Sequence, residues 1–105
     1  MGFFSDKDID TETISSKLRR KYLAHGESLS SSRLIAEAGA IIAERKNSYN
    51  EIDIVLSGRF EFTLSGDTAM LSEGDSVYIP RDTPYSFVCL EKGEIITVRN
   101  EEDAE

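Results

Sequence analysis

Residues 49–62 read YNEIDIVLSGRFEF, and their alternation decides the fold. Ile52, Ile54, Leu56, Phe60, Phe62 and, just beyond, Leu64 all fall on even positions, while Glu51, Asp53, Arg59 and Glu61 fall on odd ones. A period of two marks strands with one buried and one wet face, and Leu56-Ser57-Gly58 reads as a turn between two of them. By alternation alone, the apolar set is the core face and the carboxylates are solvated.

The same texture extends on both sides. Short apolar runs at Arg33–Ala38, Ala40–Glu44, Glu51–Leu56, Arg59–Leu64, Thr68–Leu71, Ser76–Ile79, Tyr85–Leu90 and Glu94–Arg99 are separated by LSG, LSGD, SEGD and EKG. Many short strands at regular spacing predict an all-β sandwich or barrel. Upstream, IDTETISSKLRRKYLAHG (9–26) predicts a short helix, with Asp10 as N-cap, Ile9 and Ile14 as a hydrophobic staple, and Gly26 as the stop. Ile14, Leu18 and Tyr22 would form its apolar stripe, and Lys17, Arg19, Arg20 and Lys21 a solvated basic face. The charge-dense end, RNEEDAE, has nothing to bury and is expected to be disordered. The expected division is a helical segment over 1–32, a barrel over 33–99 and an acidic tail over 100–105.

Composition narrows the function classes. A chain of 105 residues can build one domain with one pocket. Its net charge of −8 argues against nucleic acid or an anionic membrane as partner, since both select clustered Lys and Arg. Cys89 is the one cysteine, so neither an internal disulfide nor a thiolate zinc cluster can form. No basic, apolar leader opens the chain and no run approaches a membrane span, so a cytoplasmic location is expected.

Two spacings are more specific. Gly39, Arg45, Asn47, Glu51 and Gly58 follow one another with gaps of five, one, three and six residues; Gly74, Pro80, Asp82, Tyr85 and Cys89 follow with gaps of five, one, two and three. These resemble the two cupin motifs, G-x5-H-x-H-x3-E-x6-G and G-x5-P-x-G-x2-H-x3-N, over roughly residues 33–99. The glycines, the proline and the glutamate coincide, whereas Arg45, Asn47 and Tyr85 stand where the histidines would be. The resemblance implies a cupin-type jelly-roll β-barrel with a site in its mouth. Within it, Tyr49, Glu51, Ile52, Asp53, Val55 and Gly58, then Gly74, Asp75, Ile79 and Pro80, resemble the cupin domain of ethanolamine-utilisation EutQ-type proteins.

With its imidazoles replaced, such a mouth is a poor transition-metal site: arginine carries no lone pair to give and repels a cation. The expectation is a site with no metal and no cofactor. If Glu51 and Asp53 face the barrel interior, they form a carboxyl pair that can trap a cation or move a proton. Tyr49 joins them on that face, Arg45 neutralises a carboxylate or clamps an anion, and Asn47 and Tyr85 supply polar contacts. The tentative catalytic set is Glu51, Asp53 and Tyr85; the ligand-binding set adds Arg45, Asn47 and Tyr49. The expected function is binding of a small polar or cationic metabolite, as an accessory to ethanolamine utilisation. The alternatives are an isomerase-like acid/base enzyme, or a structural partner in a larger assembly. Ile52 and Ile54 would then need cover from a second subunit, which predicts a homodimer.

Overall fold

The computed structural model describes residues 2–100. A 3-10 turn at Asp6–Asp8 precedes eight strands: β1 (Glu12–Ser15), β2 (Leu18–His25), β3 (Leu29–Ala36), β4 (Ile41–Arg45), β5 (Asn50–Leu64), β6 (Asp67–Ser72), β7 (Ser76–Ile79) and β8 (Tyr85–Asn100). Every pairing is antiparallel. No helix among the described residues is long and apolar enough to cross a membrane.

The long strands β5 and β8 pair with each other from Asn50↔Asn100 to Leu64↔Tyr85. Both bend near the middle, and the two halves of this ribbon nucleate two facing layers. In one, β3, β2 and β1 extend β8, and β7 extends β5; in the other, β4 extends β8 and β6 extends β5. The bend requires glycine on both strands. Gly58 has φ +82°, and a Cβ there would lie 2.5 Å from the Glu91 carbonyl oxygen; a Cβ on Gly93 would collide with the Ser57 carbonyl.

This corner corrects the reading of LSG and EKG as turns: both lie inside continuous strands. It also changes which parity faces inward. Glu51, Asp53 and Val55 are buried before the corner, and Phe60 and Phe62 after it, because the register slips three times between Val55 and Phe60. An odd residue count in a bulge moves every later side chain to the other face. The single apolar face inferred from alternation is therefore two half-faces, and Ile52, Ile54 and Leu56 lie outside, each more than a third exposed.

The core joins Leu18, Leu34, Ala36, Val55, Ile79 and Ile95 of the first layer to Phe60, Phe62, Phe87 and Cys89 of the second. Phe60 meets Phe87 edge-on at 5.6 Å, a favoured aromatic geometry.

The N-terminal helix does not form. Residues 12–25 are the hairpin β1–β2, and β2 pairs with β3 from Leu18↔Ala36 to His25↔Ser30. Leu18 is fully buried, but Ile14 and Tyr22 are exposed, so the expected stripe is absent. The edge of β3 offers a row of unpaired backbone groups to a segment of only moderate helix propensity, and strand pairing satisfies them. The expected 1–32 unit is thus continuous with the sheet. The tail expected over 100–105 lies outside the described residues except for Asn100, which ends β8.

Candidate functional site

The site forms at the end of the barrel where β4 leaves, β5 enters and β8 begins. Asp82 N–H donates to the Asn47 carbonyl at 2.7 Å, and Arg81 N–H to Asn50 Oδ1 at 2.9 Å, so the loop carrying Pro80 and Pro84 is tied to the loop before β5. Asp82 sits at φ 59°, a left-handed conformation that aspartate tolerates in turns.

Glu51 and Asp53 both point inward, 3% and 1% exposed, which decides between the two readings of β5. Two carboxyls buried side by side survive only if their polar atoms are engaged. Asn47 Nδ2 donates to Glu51 Oε1 at 2.9 Å, and Thr97 Oγ1 donates to Asp53 Oδ1 at 2.9 Å. Among the described residues no N–H or hydroxyl reaches Asp53 Oδ2, which instead faces the Glu51 carboxyl. Burial, then the hydrogen bond and charge of Glu51, push the Asp53 pKa well above its ordinary value, which favours its protonated form beside Glu51.

Tyr85 opens β8 with its side chain buried. Desolvation and the field of Glu51 push its pKa up to about 12, against the opposing pull of Arg45 and the Asn47 amide, so its hydroxyl stays protonated. Asn47 is the link between Tyr85 and Glu51. Arg45, last in β4 and the register partner of Tyr85, is exposed at the rim and makes no ion pair among the described residues. The cation beside Glu51 is Arg99, whose Nε lies 3.8 Å from Glu51 Oε1 and whose guanidinium stacks 4.9 Å above the Tyr49 ring.

All six residues expected at the site therefore converge on this end of the barrel, though Arg45 reaches Tyr85 rather than the carboxyls and Tyr49 acts through Arg99. Thr97 and Arg99 were missed. Their signal was faint: two polar residues on the odd positions of the apolar run IITVR, which become inward-facing only once β8 is paired with β5.

Beside the cup, a hollow of about 240 Å³ opens between β6 and β7, lined chiefly by Phe62, Leu64, Leu71 and Val77; Val77 is the register partner of Asp53. A larger hollow of about 300 Å³ lies on the outer surface near Phe4 and His25, away from these polar groups.

Residues 33–100 match the cupin domain family, and the chain belongs to it. Similar solved structures include an RmlC-like cupin from Shewanella frigidimarina (22% identity, TM-score 0.89, covering 93% of this chain and 88% of that one). KdgF from Halomonas sp. is similar too, with 27% identity and TM-score 0.89 over 93% of both chains. A Bacillus subtilis oxalate decarboxylase with Mn(II) centres shares 22% identity and TM-score 0.83, with 95% of this chain matching 29% of that one. No curated protein sequence matches the chain. The metal of that last structure prompts a test of the donors present here. Among the described residues no three His, Cys, Asp or Glu side chains cluster, and the mouth offers two guanidiniums, an amide, a phenol and a buried carboxyl pair. These residues do not fit a transition-metal ion.

Proposed function

We propose that this cupin is a binding module that takes a small polar organic molecule in the barrel mouth, without a metal. The observation that carries the reading is the buried Asn47–Glu51–Asp53–Thr97 array, because polar groups at this depth weaken a core and a purely structural barrel would fill the space with apolar side chains. The test is Glu51→Gln: ligand binding is lost while the fold is kept, and binding that survives the substitution overturns the reading.

A second reading, an isomerase-like acid/base enzyme, is favoured by the buried Glu51–Asp53 carboxyl pair, with the Asp53 pKa raised, near the Tyr85 hydroxyl. Likeness to EutQ-type proteins in Tyr49, Glu51, Ile52 and Asp53 supports an accessory role in ethanolamine utilisation, checked by growth on ethanolamine after gene deletion. The outward-facing Ile52, Ile54, Leu56 and Tyr78, all substantially exposed, support a homodimer through the outer face of the first layer.

A further inference from the structure

We infer that the ligand is a small hydroxy acid, its carboxylate held by the Arg45 and Arg99 guanidiniums and its hydroxyl donated to Asn47 Oδ1. The inference deepens the binding reading above and rests on it. Three observations carry it. Among the described residues Arg99 Nε is buried without a hydrogen-bond acceptor: Glu51 Oε1, at 3.8 Å, is an ion-pair neighbour beyond hydrogen-bonding range. A guanidinium is a fork of donors matched to carboxylates, and a buried N–H left without an acceptor calls for one.

Asn47 Oδ1 is likewise buried and, among the described residues, unpartnered, in a residue only 2% exposed, and it needs a donor such as a hydroxyl. Arg45, across the register from Tyr85, makes no ion pair among the described residues. Together these unfilled groups ask for one acceptor-rich anionic end and one donor, set side by side.

Charge points the same way. In a chain of net charge −8 the mouth gathers two guanidiniums, Arg99 beside Glu51 and Arg45 across the register from Tyr85. A cationic metabolite meets repulsion there, so the amine-binding variant of the reading is disfavoured. Tyr49 holds the Arg99 guanidinium in place, its ring centroid 4.9 Å from the guanidinium carbon.

The test uses the full chain with glycolate, lactate and gluconate as probes, their neutral counterparts glycolamide, lactamide and sorbitol, and ethanolamine as the cation. At least one acid raises the melting temperature, its neutral counterpart does not, and titration calorimetry shows affinity falling by about tenfold or more in Arg99→Gln and in Arg45→Gln. Arg45 is exposed, so Arg45→Gln folds normally and keeps the test decisive if Arg99→Gln does not fold. Acid binding that survives both arginine substitutions, or a Tyr85-dependent preference for ethanolamine or the amides, overturns the hydroxy-acid assignment while the mouth remains a ligand site. A response to none of the probes overturns the hydroxy-acid assignment.

Discussion

The two halves of β5 make opposite uses of one strand. Before the corner, its inward side chains are Glu51, Asp53 and Val55; after it, they are Phe60 and Phe62. The aromatic half resembles any sandwich core, where Phe60, Phe62 and Phe87 interlock and area removed from water supplies the stability. The acidic half gains little from burial and depends on partners contributed by other elements: Asn47 from the loop, Thr97 and Arg99 from β8. Stability and chemistry are thus separated along a single strand, with the Gly58–Gly93 corner as the boundary.

Breaking that boundary has the largest expected effect. Gly93→Ala places a Cβ against the Ser57 backbone, which has no flexible end to yield, so both halves lose their register. A loss of about 4 kcal/mol or more, or failure to fold, is expected in denaturant unfolding followed by circular dichroism. A stable variant would show that the corner can open without cost.

Phe60→Ala probes the aromatic half alone. Phe60 is fully buried, and its truncation costs about 3–5 kcal/mol at every pH where the protein folds.

The acidic half responds to pH instead. Because the Asp53 pKa is raised in the folded state, the native protein binds more protons than the unfolded chain from about pH 3.9 upward. Its contribution is complete below that value and lost as pH rises through the folded pKa, at up to about 1.4 kcal/mol per pH unit. Asp53→Asn keeps a donor toward Glu51 without this titration, so the stability difference between variant and wild type grows in the variant's favour with pH. Parallel pH profiles for the two proteins would refute the raised Asp53 pKa.

Tyr85→Phe is smaller again, about 0.5–1.5 kcal/mol in stability or ligand affinity, since only the hydroxyl is removed from a ring that remains packed. If Tyr85 serves packing alone, affinity for any mouth ligand stays unchanged. The smallest effect on stability is expected for Ile54→Lys on the outer face, within about 0.5 kcal/mol per chain. Light scattering should nonetheless show a dimer reduced to a monomer.

Much of the barrel was legible because its cues are local. Turn residues and period-two runs located β3, β4, β6 and β7 to within a few residues, and the spacing of Gly39, Arg45, Asn47, Glu51 and Gly58 brought the site residues to one end of the barrel. Local cues failed where the deciding contact was distant. The helix expected over 9–26 gave way to a hairpin because β3 presented an open edge, and the turns expected at LSG and EKG became one corner because two glycines, far apart in sequence, meet there.

The sequence by itself therefore determined the strand-rich architecture and the likeness to the cupin motifs, since each follows from residue types and short spacings. Only the tertiary structure decided which parity of β5 faces inward, because that depends on bulges set by pairing with β8. It also decided that Arg99 rather than Arg45 stands beside Glu51 and that Thr97 holds Asp53. A buried carboxyl must find its partners in space, and those partners sit more than forty residues along the chain.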